Sequence, residues 1–143
     1  MNAAGDKIVV SAPYDYGQNG ATSVYRYSAG KWRQEGQDII GEESVDRSGD
    51  GEGSSVSMND LGDRIAIGAQ INDGNGTNSG HVRLFELDNT SWNQLGFDVD
   101  GEAANDLLGF SVALNGVGDR MAAGARNNVG GAANAGHVRV YET

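Results

Sequence analysis

The sequence repeats itself at an interval of about 56 residues, and this repetition constrains the fold more than any other feature. Residues 53–86 read G-S-S-V-S-M-N-D-L-G-D-R-I-A-I-G-A and end in S-G-H-V-R-L-F-E. Residues 109–142 repeat the pattern as G-F-S-V-A-L-N-G-V-G-D-R-M-A-A-G-A and A-G-H-V-R-V-Y-E, and a partial copy occupies residues 2–13. The turn glycines Gly5, Gly62 and Gly118 are 57 and 56 residues apart (62 − 5 and 118 − 62). A fixed period of this size predicts a repeat architecture.

Each unit contains four short segments that read as strands separated by Gly, Asn and Asp turns. We name them by their patterns: first G-x-S-V, second R-x-A-x-G-A, third H-V-R-x-[FY] and fourth W-x-Q-x-G, the fourth being followed by D-x-x-G-E. The third segments are predicted at residues 22–27, 80–86 and 136–142. The alignment equates two sets of third-segment positions: Ser23, His81 and His137, and Tyr27, Phe85 and Tyr141.

The second segment indicates how the units pack. In R-I-A-I-G-A, Ile65 and Ile67 point to one face of a strand while Ala66 and Gly68 point to the other. We expect both faces to be buried, with the bulky face of one unit packing on the small face of its neighbour. Frequent glycine and the lack of a 3.6-residue apolar stripe argue against a helix.

Composition excludes several classes of function. Twenty-three glycines and a single proline among 143 residues indicate many tight turns. Ten basic and twenty acidic residues give a net charge of −10, which disfavours nucleic acid and anionic membranes. No apolar stretch is long enough for membrane insertion, and cysteine is absent, so disulfides do not hold the fold.

The repeated pattern G-[FS]-S-V-x-[ML]-N-x-x-G-D-R-x-A-x-G-A, followed by G-H-V-R-x-[FY]-E and W-x-Q-x-G-x-D-x-x-G-E, resembles FG-GAP repeats. These repeats are the blades of integrin α-subunit-type β-propellers and of many microbial and algal surface proteins. The resemblance implies an all-β fold of β-propeller blades with four antiparallel strands each, and an extracellular or cell-surface location. We expect about three blades in a single propeller segment: a partial blade at residues 1–52, a full blade at 53–108 and a partial blade at 109–143. The segment is then either a piece of a longer propeller or a subunit that assembles with further blades of its own kind.

Metal binding is not expected in the family's usual loop. Calcium-binding FG-GAP blades carry D-x-[DN]-x-[DN]-G-x-x-D between the first two strands, whereas residues 59–64 and 115–120 are shorter and have fewer oxygen ligands. We therefore expect metal-free turns and no cofactor. An acidic insertion at residues 46–53 is the alternative Ca²⁺ site, with Asp46, Asp50 and Glu52 as its candidate ligands. A solvated glycine-rich turn is the favoured interpretation of this insertion.

Polar residues that recur in each unit are interpreted as parts of the scaffold. His81 and His137 are expected to form hydrogen bonds at strand ends, since no third group accompanies them as a catalytic triad or zinc site requires. Four arginines are expected in cross-strand pairs with acidic residues: Arg64, Arg83, Arg120 and Arg139. No acid, base or nucleophile set converges apart from these recurring positions, so we expect no catalytic activity.

The residues that differ between units lie in two sets of loops: those between the second and third segments and those between the fourth segment and the first segment of the next unit. Both sets should emerge at the same end of the strands. These loops supply the candidate ligand-binding residues: Tyr14, Asp15, Tyr16, Asn72, Asp73, Asn75, Arg126 and Asn127. The sequence therefore predicts a non-catalytic interaction or adhesion module that presents loops to a protein or glycan ligand. The alternative is a structural array of self-assembling blades, a homo-oligomeric ring or filament with no separate ligand.

Overall fold

The computed structural model describes residues 1–15, 19–42, 55–132 and 135–143. Within these ranges the chain forms strands and turns, which confirms the predicted all-β class, and none of it forms a helix long and apolar enough to cross a bilayer. Four predicted site residues lie outside the described residues: Tyr16, Asp46, Asp50 and Glu52.

The strands form three antiparallel sheets. The first sheet contains β1 (Lys7–Ala12), β2 (Ala21–Ser28), β3 (Lys31–Gln34) and β4 (Ile39–Ile40). The second contains β5 (Ser55–Met58), β6 (Arg64–Ala69), β7 (His81–Asp88), β8 (Ser91–Gln94) and β9 (Val99–Asp100). The third contains β10 (Leu108–Leu114), β11 (Arg120–Ala125) and β12 (His137–Glu142). In each sheet the predicted segments lie side by side in their sequence order.

The fourth segment is two short strands and not one. In the first sheet β3 and β4 both pair with β2, and in the second β8 and β9 both pair with β7. A turn with positive φ separates the two pieces, at Gly36 (φ +83°) and at Gly96 (φ +79°). Glycine adopts this conformation without the steric cost of a Cβ.

The pairing corrects the alignment of the first unit. Ile8 of β1 lies opposite Tyr25, whereas its counterparts Ile65 and Met121 lie opposite Phe85 and Tyr141. Tyr25, and not Tyr27, is therefore the counterpart of these two aromatic residues.

The same shift applies at the start of the third segment. His81 and His137 pair with Ala69 and Ala125, and the equivalent pair in the first sheet is Ala12 with Ala21. The counterpart of the histidines is thus Ala21, and the assignment to Ser23 was wrong. The error is a shift of two residues, which keeps every side chain on its face of the strand, so the pattern of apolar residues did not reveal it.

The three sheets are stacked, with the second sheet buried on both faces. Ile65 and Ile67 pack with Val24 of the first sheet in one core, while Ala66 packs with Met121 of the third sheet in another. Each interface thus joins the bulky face of one sheet to the smaller face of the sheet before it. This arrangement confirms the packing predicted from the alternation in β6.

Three similar hairpin turns join the sheets at one end. In the second sheet, the Asn59 amide donates to Asp63 Oδ1 (2.7 Å) and its oxygen accepts the Arg64 backbone N–H (3.0 Å). The same bonds recur in the turns that begin at Asn2 and Asn115. In each turn, the hydrogen bonds of the asparagine to the aspartate and to the main chain close the hairpin.

Neighbouring turns are also bonded to one another through the main chain. The Ala3 N–H donates to the Asp60 carbonyl (3.2 Å), and the Asp60 N–H donates to the Gly116 carbonyl (2.9 Å). Side chains add to these bonds: Lys7 Nζ donates to the Gly62 carbonyl at 3.0 Å, and the Arg64 guanidinium donates to the Gly118 carbonyl of the next turn. The repeat therefore extends to the contacts between units.

Candidate functional site

The two sets of loops share one end of the strands, as the sequence predicts. The Asn105 N–H donates to the Thr77 carbonyl (2.8 Å) and the Leu107 N–H to the Asn78 carbonyl (3.2 Å), so the loop before β7 contacts the connection before β10. That connection also reaches the loop of the third sheet, since the Asn127 N–H donates to the Asp106 carbonyl (3.2 Å). The loops of the second and third sheets thus form one surface. We use the name loop surface for this surface together with the loop of the first sheet, which lies at the same end of the strands.

Asn72 belongs to the interior of this surface. Only 4% of it is exposed, and its Oδ1 accepts the Gly74 N–H at 2.7 Å. Asn128, the corresponding residue in the third sheet, is equally buried and makes the same bond to Gly130 (2.9 Å). The burial and the repetition indicate that Asn72 shapes the loop, and its side chain is not exposed to a ligand.

Asp73 and Asn75 also order the loop. Asp73 Oδ1 accepts the Asn78 N–H at 2.6 Å, and the exposed Asn75 donates its amide to the Gly101 carbonyl at 2.8 Å. Both side chains remain at least partly accessible. They are therefore fixed in position while still reachable by a ligand.

Arg126 and Phe110 form the most distinctive contact of the loop surface. The guanidinium carbon of Arg126 lies 4.8 Å from the centre of the Phe110 ring, a cation–π distance. The sequence did not identify Phe110, because the phenylalanine is brought to Arg126 only by the pairing of β10 with β11. A cavity of about 400 Å³ adjoins the pair, and Gly124, Gly136 and Val138 contribute to its lining.

Tyr14 and Asp15 lie on the loop of the first sheet. Tyr14 is 78% exposed and Asp15 is exposed as well, and the Asp15 carbonyl accepts the Gly20 N–H at 2.9 Å to close the loop. Tyr14 is thus available as a surface aromatic, a residue type that contributes strongly to protein interfaces.

An ion-pair cluster joins the second and third sheets beside the loops. Glu102 accepts a hydrogen bond from Arg139, and its carboxylate lies 4.0 Å from His137 Nδ1. The hydrogen bond from Arg139 is the main cause that lowers the pKa of the Glu102 carboxyl, and Asn128 contributes in the same direction. The same bond raises the pKa of the Arg139 guanidinium.

The corresponding cluster joins the first and second sheets. Arg83 lies 3.9 Å from Glu42, and Glu42, His81 and Asp98 place ligand-type atoms within 4.8 Å of one another. The recurrence of glutamate, histidine and arginine at both junctions favours an ion pair between sheets over a metal centre, because a guanidinium beside the carboxylate competes with a cation.

Two of the predicted cross-strand arginine pairs are confirmed and two have different partners. Arg64 pairs with Glu86 at 2.8 Å and Arg120 with Glu142 at 3.5 Å, each across adjacent strands. For Arg83 and the arginine at position 139, the glutamate partner comes from the neighbouring sheet. Sequence spacing could not show this, because it does not specify how one sheet lies on the next.

Comparison with protein-family models and with curated proteins found no match.

Proposed function

We propose that the three sheets are blades of a β-propeller of the FG-GAP type, and that the chain is a non-catalytic interaction module outside the cell. The loop surface presents side chains to a protein or glycan partner. The observation that supports this proposal best is a contrast between two groups of residues. Those that recur build the hairpins and the contacts between sheets, whereas Tyr14, Asn75 and Arg126, each specific to one unit, lie exposed on the loops.

The exposed loop residues suit such a partner chemically. Tyr14 offers an aromatic face with a polar tip, Arg126 a guanidinium held against Phe110, and Asn75 a fixed amide. Aromatic faces and oriented amide or guanidinium donors are the groups that stack on sugars and anchor protein interfaces. The net charge of −10 favours partners that are neutral or basic over acidic ones.

A glycan array and a panel of purified extracellular proteins test this proposal. We expect a saturable signal that Tyr14→Ala or Arg126→Ala reduces at least about tenfold, a loss of about 1.4 kcal/mol. The matched control is Leu61→Ala, because Leu61 is also highly exposed but lies on the hairpin turn at the opposite end of the strands. A signal that all three variants retain, or that Leu61→Ala alone removes, would contradict the assignment of the loop surface.

A second candidate function, self-assembly of blades, is favoured by the outer faces of the stack. Val138 and Val140 of the third sheet are 69% and 68% exposed, although their counterparts Val82 and Leu84 in the second sheet are buried against the next sheet. The outer face of the first sheet likewise exposes Val10, whereas its counterpart in the second sheet, Ile67, is buried. The two ends of the stack are thus the two halves of one type of interface, and copies could associate head to tail.

Sedimentation velocity over a range of concentrations tests this second function. We expect association of the wild-type chain, and its loss when Val140→Asp or Val10→Asp introduces a charge on either half of the interface. Leu61→Ala again serves as the control. A monomer at the highest soluble concentration would rule out the assembly.

A further inference from the structure

Trp92 fills the outer part of the interface between the first and second sheets. Only 3% of it is exposed, and its indole N–H donates to the Glu35 carbonyl at 2.9 Å. Its main chain is held as well, because Gln37 donates to the Trp92 carbonyl (2.7 Å) and accepts the Trp92 N–H (3.1 Å). Gly36 allows the approach: a Cβ at this position would lie 2.6 Å from Trp92 Cδ1.

The equivalent position between the second and third sheets is an apolar groove of about 330 Å³. Its walls are the counterparts of the residues around Trp92: Val82, Leu84, Leu95, Gly96, Phe97, Val99, Met121, Tyr141, Glu142 and Thr143. A Cβ at Gly96 would meet no atom within 4 Å, in contrast to Gly36. Phe97, at the rim, is 95% exposed.

The groove continues the buried core between these two sheets. Val82, Leu84 and Met121 belong to that core, and Leu95, Val99 and Tyr141 pack at its margin. The adjoining strand edge is available too: β7 pairs with β6 on one side and with β8 and β9 on the other, whereas within the described residues β12 pairs only with β11. An extended segment could therefore hydrogen-bond to β12 while its side chain enters the groove.

We propose that this site binds an extended segment of the fourth type, with the pattern W-x-Q-x-G, when that segment is offered as a separate peptide. The segment adds to the third sheet as its outer strand, a β-augmentation in which main-chain bonds give affinity and one anchoring side chain gives specificity. The pairing of Phe85 with Gln94 and of Leu87 with Trp92 sets the register. By equivalence, the glutamine of the segment lies opposite Tyr141 and its tryptophan opposite Thr143.

The charge of the chain favours a segment with basic residues beside the tryptophan. Residues 31–42, K-W-R-Q-E-G-Q-D-I-I-G-E, carry two basic and three acidic groups, whereas residues 91–102, S-W-N-Q-L-G-F-D-V-D-G-E, carry three acidic groups and no basic one. Against a protein of net charge −10, the first peptide is repelled less. It is therefore the probe for the experiment.

The experiment measures fluorescence anisotropy of a labelled synthetic peptide of residues 31–42 titrated with the 143-residue chain. We expect saturable binding, weakened at least about tenfold by tryptophan-to-alanine replacement in the peptide, because a buried aromatic side chain contributes more than 1.4 kcal/mol. Amide exchange should slow along β12 when the peptide binds. The protein variant Val99→Trp, which fills the groove from within, should bind at least about tenfold more weakly.

The peptide variants decide the outcome even if Val99→Trp does not fold. Equal affinities for the tryptophan and alanine peptides, or no binding to a chain whose circular dichroism shows a folded β protein, would overturn the proposal. Tyr14→Ala should bind the peptide as the wild type does, because Tyr14 lies on a loop of the first sheet and the groove is formed by the second and third. This site and the loop surface can therefore fail independently.

Discussion

The substitution Gly68→Ala should force the second and third sheets apart at their contact and so lower the stability of the fold. Gly68 lies in the middle sheet, and a Cβ added to it would come within 2.9 Å of Gly109 Cα and closer still to the Gly109 carbonyl oxygen. These are main-chain atoms, which cannot rotate away. The Ser55 hydroxyl, which donates to the Gly109 carbonyl at 2.7 Å, would also be displaced.

The net cost follows from three contributions. Overpacking of a close contact costs about 1–3 kcal/mol, and loss of the serine hydrogen bond about 1 kcal/mol. Replacing glycine by alanine restricts the unfolded chain, which returns about 0.4–1 kcal/mol. We therefore expect the free energy of unfolding to fall by about 2 kcal/mol.

Gly124→Ala is the matched control within the same molecule. Gly124 occupies the equivalent position in β11, and the three atoms nearest to a Cβ there all belong to Ser111, the closest being its hydroxyl, which can rotate away. The same entropic gain then leaves the stability unchanged or slightly raised. The two variants thus differ in what packs on the glycine and not in the type of substitution.

Urea unfolding, followed by circular dichroism at a concentration where the chain is monomeric, measures the difference. With a denaturant slope of about 2 kcal/mol per molar, Gly68→Ala should lower the midpoint by about 1 M relative to Gly124→Ala. Equal midpoints for the two variants would refute the close packing of the second and third sheets at this glycine.

Three further predictions use the same assay. Trp92→Ala should cost about 3–5 kcal/mol because it empties a buried site, whereas Trp32→Ala, on the exposed face of the first sheet, should cost less than about 1 kcal/mol; equal losses would contradict the stacking. Asn59→Ala should cost about 1 kcal/mol more than Asn115→Ala, since Asn59 is buried and also bonds to the next turn at 3.3 Å; the opposite order would be inconsistent with this contact. Glu102 has a lowered pKa in the folded chain, so its ion pair stabilises the fold above the ordinary glutamate pKa and is lost as the pH falls through the folded-state value. Glu102→Gln should therefore lower the urea midpoint at neutral pH and leave it unchanged at strongly acidic pH, and a loss of equal size at both would argue against the ion pair.

The sequence predicted the strands and their order because those features depend on local patterns. The alternation of Ile65, Ala66, Ile67 and Gly68 was sufficient to predict two buried faces and which face is bulky. The turns were predicted from the Gly-Asp pairs, and the structure adds that an asparagine three residues before each glycine closes the hairpin.

Features that depend on contacts between units were less accessible. The partners of Arg83 and the cation–π contact of Phe110 depend on how sheets and strands are placed, and no periodicity encodes that. The loop candidates were assigned from their exposure and variety alone, so Asn72 was included although its repetition at Asn128 already suggested a structural role. The groove beside β12 became visible only by comparison with the site that Trp92 fills.

The main-chain bonds between turns have a consequence for how the units can diverge. Ala3, Asp60 and Gly116 occupy the same position in successive turns, yet they are a methyl, a carboxylate and no side chain at all. Because the bond joins a main-chain amide to a main-chain carbonyl, any residue other than proline retains it, although a side chain at Gly116 would first have to displace the Asp60 carboxylate. Neighbouring modules can thus drift apart in sequence here without losing their attachment, which frees the position for substitutions suited to other needs.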